Sequence, residues 1–375
     1  MVDYHCPECR LHDLAFYLYE EASFYLTKYE LFQLMNFNLT EWSVFFYYSK
    51  RSQSGIINSP KGKEKIMNTQ TTTQPLVKAV KRVAWGTIIF LVALNVIDLL
   101  VSLGIVIIQG NSNLIEGLKT VSATNGWAYM IAGIIGVILV LTKANQTERQ
   151  QIFTARKTVI TWQAIIGIIL MLFVFQLGAE LFGTIVEAGL KPLGFSALAE
   201  MQNASQTGIR SVSMMVYGGI CAPLFEEIVF RGFVFRKLQP FGVKFALIIS
   251  SLLFACAHGN LIQSPFAFAT GMLLGSVAYR YGLKWAIVTH IINNLGLSIG
   301  LQLLSQKIAW IPFLTVGLAV IGLIGFILIG MRPLINWWRQ NRIQDHFLAI
   351  AFRQLPILII LVYGIALALG GIQHR

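Results

Sequence analysis

Long apolar runs separated by short polar stretches make up most of the chain from about residue 84 onwards. A run of about twenty apolar residues has the length that an α-helix needs to cross the hydrocarbon core of a bilayer. The runs predict an all-α fold, a polytopic transmembrane bundle of about eight to nine helices. The candidate segments are 84-108, 127-142, 158-187, 209-235, 244-258, 264-281, 284-304, 309-331 and 355-371.

Composition and charge support a membrane protein. Hydrophobic residues make up 55% of the 375 positions and charged residues only 12%, which excludes a soluble domain of ordinary composition. The formal charge of +12 does not indicate a nucleic-acid partner, because Lys and Arg are spread over short stretches between apolar segments. The positive-inside rule makes these stretches cytoplasmic and puts the N-terminus inside. We expect an integral protein of the bacterial cytoplasmic membrane, surrounded by lipid. The basic stretches are Lys78 to Arg82, Lys143 to Lys157, Arg236 to Lys244, Arg280 to Lys284 and Arg332 to Arg342.

The first 66 residues differ from the rest of the chain. They contain eight of the seventeen carboxylates, and their many Tyr and Phe residues form neither a helical period nor a run long enough to span. From Met67 a short polar leader passes directly into the first apolar run, as in many bacterial inner-membrane proteins. We therefore divide the chain into an N-terminal leader, 1-66, and a polytopic membrane domain, 67-375. We expect the leader to be an over-extended gene start, the alternative being a real cytoplasmic appendage.

Two adjacent glutamates and an arginine lie inside the fourth apolar segment, in the run CAPLFEEIVFRGFVF. An ionisable group at the centre of a bilayer costs about 3 kcal/mol on insertion scales, so such groups usually serve catalysis or transport. Glu227 and Arg231 are four residues apart and share a helix face, so we predict that they form a structural ion pair. Glu226 points about 100° away from Glu227 and is left free to face a cavity.

Two histidines also lie inside candidate segments, whereas the other four lie in the leader, a loop or the tail. His258 ends the sequence FACAH, four residues after Phe254, which we interpret as a wall residue of the site. His290 begins the sequence HIINN, four residues before Asn294. Each pair therefore shares a helix face. A lone histidine would more often be a satisfied core residue, but two of them together with Asn294 favour a functional site.

These residue types suit hydrolysis by an activated water. Glu226 and a nearby imidazole, His258, can hold and deprotonate the water, and His290 with the amide of Asn294 can stabilise the oxyanion. A covalent mechanism is not favoured, because no Ser or Cys is placed as a nucleophile and Cys256 points about 200° away from His258 on the same helix. Glu226, His258 and His290 are also ligand types for a divalent metal such as zinc, although the HExxH spacing of soluble zinc proteases is absent. The sequence leaves metal dependence open.

The three motifs in this order resemble the CAAX protease and bacteriocin-processing family of intramembrane endopeptidases, also called CPBP or Abi. The resemblance covers about 209-300 and includes the stretch GMLLGSVAYRYGLKWAIVTHIINN, in which small residues precede the histidine helix. It implies catalytic roles for Glu226, His258, His290 and Asn294. It also implies relatives that trim prenylated proteins, as the type II CAAX prenyl endopeptidase does, and bacterial relatives linked to bacteriocin self-immunity.

We therefore predict an intramembrane CAAX-type endopeptidase that cleaves a peptide or protein tail, prenylated in the family's best-known substrates, reached from the cytoplasmic side. One alternative is a non-catalytic bacteriocin self-immunity or scaffold protein, in which the motifs serve folding alone. A proton-coupled transporter is a further alternative, since intramembrane carboxylates also mark transport pathways.

Overall fold

The computed structural model describes residues 69–110, 113–154, 158–197, 209–344 and 346–374. Helices account for almost all of these ranges, so the predicted all-α class is confirmed. The proposed leader, 1-66, lies outside the described residues. The twelve helices of the described ranges are α1 (Thr69–Ile108), α2 (Leu114–Thr124), α3 (Gly126–Thr142), α4 (Gln146–Phe153), α5 (Trp162–Leu190), α6 (Val212–Phe241), α7 (Val243–His258), α8 (Gln263–Tyr281), α9 (Leu283–Ser305), α10 (Ile311–Gln340), α11 (Phe347–Phe352) and α12 (Leu355–Gly370).

Each of the nine predicted segments corresponds to one of these helices. In the described part of the chain, α1, α5, α6, α9 and α10 are long and apolar enough to cross a membrane, and α2 with α3 makes a sixth candidate if the bent pair counts as one span. The apolar helices α7 and α12 are shorter, with 16 residues each. About 24 Å of helix is less than the thickness of a bilayer core, so these two helices depend on their neighbours in the bundle.

A helix that the apolar pattern did not predict lies between the first two spans. The Oδ1 of Asn113 accepts a hydrogen bond from the backbone N–H of Glu116 at 3.2 Å, which caps the start of α2. Asn125 then ends α2 and caps α3, because its Oδ1 accepts the backbone N–H of Trp127 at 3.0 Å. The chain bends by 75° at this residue. The two asparagines explain why a short polar connection forms helix rather than loop.

Four of the predicted basic stretches lie at one end of the bundle. Glu148 on α4 pairs with Lys237 from the end of α6, and its Oε2 lies 3.5 Å from the Nη2 of Arg82 on α1. Nearby, the Nζ of Lys244 donates to the backbone carbonyl of Trp338 at 3.2 Å. These contacts bring the stretches around 82, 148, 237–244 and 338 to the same end of the bundle.

A short two-stranded sheet lies at the opposite end of the bundle. Strand β1 (Phe195–Ser196) follows α5 and pairs antiparallel with β2 (Gln373–His374), which follows α12. Glu187 near the end of α5 supports β1, since its Oε2 accepts the hydroxyl of Ser196 at 3.0 Å. The ends of α5 and α12 are thereby held together on the side away from the basic stretches.

Candidate active site

The predicted ion pair of α6 is present and fully buried. The Nη1 of Arg231 lies 2.8 Å from the Oε1 of Glu227, and both side chains are completely shielded from solvent. The Nη2 of Arg231 also donates to the backbone carbonyl of Gly271 on α8 at 3.3 Å. The charge of Glu227 is thus compensated inside the bundle, and its pairing with Arg231, predicted from the four-residue spacing, is confirmed.

The ring of His290 lies between the two glutamates. Its Nδ1 is 2.9 Å from the Oε1 of Glu227, and its Nε2 is 3.7 Å from the Oε2 of Glu226. Because a carboxylate oxygen accepts, the Nδ1 of His290 is the donor in the first contact. Glu226 is not enclosed as Glu227 is, since 24% of its side chain is exposed. The imidazole in contact with Glu226 is therefore His290, whereas the pairing of Glu226 with His258 stays a prediction.

Phe254, predicted to be a wall residue of the site, also contacts both histidines and Arg231. Its buried ring packs edge to face against both histidines, with centroids 4.6 Å from His258 and 5.7 Å from His290. The guanidinium carbon of Arg231 lies 4.2 Å from the centre of the same ring, at cation–π distance. A single aromatic ring therefore contacts a charged or titratable residue from each of the three motif helices α6, α7 and α9.

His258 is the last residue of α7, and its tautomer follows from one contact. The Nδ1 lies 2.8 Å from the backbone carbonyl of Phe254. A carbonyl can only accept, so Nδ1 carries the proton and the Nε2 of the neutral ring keeps its lone pair for another group. Gly259 ends the helix with φ of 54°, a left-handed conformation in which glycine avoids the strain of a side chain.

The amide of Asn294 is held at both of its ends. Its Nδ2 donates to the backbone carbonyl of Gly218 on α6 at 3.1 Å, and its Oδ1 accepts from the Nδ2 of Asn293 at 2.9 Å. The two helices approach closely here: a Cβ on the neighbouring Gly219 would lie 2.9 Å from a methyl carbon of Leu295. The amide of Asn294 is left with one N–H that neither contact uses.

Gln176 on α5 extends this network and was missed in the sequence. Its Nε2 donates to the hydroxyl of Ser298 at 2.9 Å and lies 3.5 Å from the Oδ1 of Asn293. The available signal was a single amide inside the apolar run IIGIILMLFVFQLG, because polar residues within a span usually face the bundle interior. A chain of side-chain amides therefore runs from α5 through Asn293 to Asn294.

A cavity of about 660 Å³ connects three of the four predicted catalytic residues. Its lining includes His258, His290 and Asn294. Glu226 is not among the described residues that line the cavity, but its Oε2 lies 3.7 Å from the Nε2 of His290, which does line it. Polar groups around the rest of the wall come from nine described residues: Gln176, Glu180, Gln263, Thr270, Asn293, Ser298, Gln302, Ser305 and Thr315. Apolar side chains of α5, α7, α8, α9 and α10 complete the wall, and they include Phe173, Leu177, Phe266, Ile311 and Val316.

Two motif helices depart from regular α-helical winding at the site. Residues Glu227–Phe235 of α6 and Ile292–Gly300 of α9 are π-helical, with hydrogen bonds to the fifth residue along the chain. Such stretches are rare and occur frequently at functional sites, because the wider turn changes the direction of the side chains. Glu227 and Asn294 lie within these stretches, whose presence the apolar pattern did not predict.

A metal ion does not fit the arrangement of these side chains. No group of three His, Cys, Asp or Glu residues in the described ranges could hold one. The Nδ1 atoms of both histidines contact Phe254 and Glu227, so Nε2 is the atom through which either ring can bind a further group. The possible ligand set of Glu226, His258 and His290 is not among the groups of described residues that could hold a metal ion.

In a comparison with known protein families, the part of the chain that carries the three motifs matches one family model. Residues 208–296 match the family model described as type II CAAX prenyl endopeptidase Rce1-like. The match covers α6, α7, α8 and the part of α9 that carries His290 and Asn294, and it confirms the resemblance inferred from the three motifs. Together with the five long apolar helices, it identifies an integral membrane protein and supports, at family level, an intramembrane protease. No curated protein and no solved structure matches the chain.

Proposed function

We propose that this chain, whose motif region matches a family of prenyl endopeptidases, is an intramembrane endopeptidase that hydrolyses a peptide bond with a water activated by Glu226 and His258. One observation carries the proposal. His258, His290 and Asn294 line a single cavity inside the bundle, and the Glu226 carboxylate lies 3.7 Å from the His290 ring at that cavity. A general base, a second water acceptor and an oxyanion donor are the groups that hydrolysis requires.

The first step is attack by water on the peptide carbonyl carbon. Glu226 is the base because its neighbour Glu227 is already paired with Arg231, whereas the Glu226 carboxylate is partly open. The Nε2 lone pair of His258 is the second acceptor that orients the water, since its Nδ1 is bonded to Phe254. As the water oxygen bonds to the carbonyl carbon, one of its protons passes to the Glu226 carboxylate, and the carbonyl oxygen becomes an oxyanion.

Asn294 stabilises that oxyanion. Its remaining N–H donates to the oxygen while the other contacts hold the amide in place. One such donor is worth about 3 kcal/mol of transition-state stabilisation. His290 lies beside the base, since its Nε2 is 3.7 Å from the Oε2 of Glu226 and its Nδ1 donates to Glu227. The C–N bond then breaks as Glu226 returns the proton to the leaving amine, and the products are a carboxylic acid and an amine.

The substrate is a peptide or protein tail that enters from the cytoplasmic side. The end of the bundle that carries Arg82, Lys237 and Lys244 is the cytoplasmic one by the positive-inside rule, which puts the N-terminal end of α1 inside. The cavity wall formed by Phe173, Leu177 and similar side chains suits an apolar residue or a prenyl chain on that tail. The name of the matching family favours prenylated tails.

Membrane peptidomes provide the test. Cells that produce the wild-type protein are compared with cells that produce Glu226→Gln at the same level, so that folding and membrane insertion are matched. We expect a set of cleavage products that depends on Glu226. Identical peptidomes would instead support a non-catalytic immunity or scaffold protein, which binds a partner without cutting it.

A further inference from the structure

A second cavity, of about 420 Å³, lies at the basic end of the bundle, between α1, α4 and the end of α6. Four cationic side chains contribute to its lining: Lys78 and Arg82 from α1, and Arg236 and Lys237 from α6. Glu148 is the one carboxylate among the described lining residues. The cavity therefore carries three positive charges more than it carries negative ones.

Glu148 cannot balance this charge. It pairs with both Arg82 and Lys237, so a single carboxylate is shared by two cations. Lys78 is exposed at the same concave surface, where Arg236 is half-buried. The hydrogen bond from Arg82 to the backbone carbonyl of Lys143 leaves its charge in place, because a carbonyl is neutral. An anion is the ligand that such an excess attracts.

We propose that this cavity binds a phosphate group, and specifically the headgroup of an anionic phospholipid in the adjoining leaflet. Basic pockets between transmembrane helices at the cytoplasmic surface are known to favour anionic headgroups, and each Lys or Arg there strengthens the attraction. The volume of about 420 Å³ accommodates a glycerophosphate headgroup. A soluble phosphate compound has the same chemistry, and the test separates the two sources.

The site is joined to the candidate active site through α6. Gly232 lines the cavity, directly follows Arg231 and packs so closely on α4 that a Cβ there would lie 2.8 Å from the Cγ2 of Ile152. A headgroup held between α1 and α6 would therefore fix the end of the helix that carries Glu226 and Glu227. The proposal itself concerns binding and does not depend on the enzymatic function.

Binding is measured on the purified full chain in neutral detergent, by native mass spectrometry and by thermal unfolding. The probes are phosphatidylglycerol, phosphatidylcholine and inorganic phosphate. We expect phosphatidylglycerol to bind and to raise Tm, and phosphatidylcholine to do neither. The double variant Lys78→Gln/Arg236→Gln should bind phosphatidylglycerol roughly 30-fold more weakly, at roughly fivefold per charge.

Two further variants make the result specific. Glu148→Gln removes the negative charge and should bind phosphatidylglycerol more tightly, the opposite direction from the double variant. Arg332→Gln/Arg339→Gln removes two exposed cations from α10, which are not among the described residues of the cavity lining, and should bind like wild type. Equal stabilisation by inorganic phosphate, with the same dependence on Lys78 and Arg236, would support the phosphate site with a soluble ligand. Unchanged affinity in the first double variant, or an equal loss in the α10 variant, would overturn the proposal.

Discussion

Glu227 and His290 are 63 positions apart in the chain, yet the Nδ1 of His290 donates to the Oε1 of Glu227 across 2.9 Å. Both side chains are almost completely buried. The same carboxylate oxygen also forms the ion pair with the Nη1 of Arg231, at 2.8 Å. One oxygen atom thus connects the first motif with the third, so the two motif helices form one polar unit rather than two independent ones.

The guanidinium of Arg231 should be essential for folding. Arg231→Ala leaves the buried carboxylate of Glu227 without its counter-charge, and breaking a buried ion pair costs about 3–5 kcal/mol. We expect little folded protein, measured as the monodisperse fraction in detergent and as Tm. Arg353→Ala on the exposed surface is the control and should behave as wild type. Wild-type yield and Tm for Arg231→Ala would mean that the ion pair does not support the fold.

The ring of Phe254 should position both histidines. Phe254→Leu keeps an apolar side chain but removes the ring that contacts His258, His290 and Arg231. We expect kcat to fall about tenfold or more, because misplacing catalytic groups by a fraction of an ångström is costly. Phe245→Leu is a matched control: its ring is equally buried on α7 but packs against Phe347, away from the histidines. The two variants should lose similar stability, and equal activities would argue against a positioning role.

The amide of Gln176 should act through Asn294. Gln176→Met has a similar shape but cannot donate to Ser298 or Asn293, so the amide of Asn294 becomes less ordered. A neutral hydrogen bond contributes about 1 kcal/mol, which predicts that kcat falls about fivefold while KM is unchanged. Gln302→Met in the wall of the same cavity is the control. A change in KM alone would show that Gln176 contacts substrate instead of positioning Asn294.

Glu148 should make stability depend on pH. Burial alone would raise the pKa of this carboxyl, but the hydrogen bond from Lys237, the N–H of Asn145 and the charge of Arg82 lower it below the ordinary 4.5. Stability from the ionised carboxylate is therefore present above the ordinary pKa and is lost as the pH falls through the lowered one. Glu148→Gln should cost about 1 kcal/mol or less at pH 7, since the group is near the surface. The difference in Tm from wild type should shrink as the pH falls below 4.5, and a difference that stays constant over that range would contradict the ion pairing.

The sequence predicted the parts of the site that follow from helical spacing. Glu227 and Arg231 pair as their four-residue separation required, and residues of the second and third motifs line one cavity. The contact of Glu226 with His290 was not predicted, because spacing within a helix says nothing about which helices become neighbours. Gln176 was missed for the same reason, since its partners are more than one hundred positions away.

In the fold, too, the sequence predicted the features that depend on one segment and missed those that depend on contacts between segments. Apolar run length predicted every long helix, because the length needed to cross a bilayer is fixed. The 75° bend at Asn125 and the π-helical stretches of α6 and α9 depend on capping and on contacts between helices, and hydropathy does not register these. The distribution of Lys and Arg predicted that the stretches containing Arg82, Glu148 and Lys237 lie on one side of the bundle. It did not predict the contacts among these three residues.

The most direct test of the catalytic assignment is cleavage by the purified protein in liposomes, with a peptide substrate taken from the peptidome comparison. Glu226→Gln keeps the shape of the side chain but removes the base, and losing a proton-transfer group typically costs about 10²- to 10⁴-fold in rate. Glu180→Gln removes another carboxylate from the wall of the main cavity and serves as the control. We predict that Glu226→Gln folds with the Tm of wild type and loses kcat by this factor, while Glu180→Gln retains it. Cleavage at the wild-type rate by folded Glu226→Gln would contradict the mechanism.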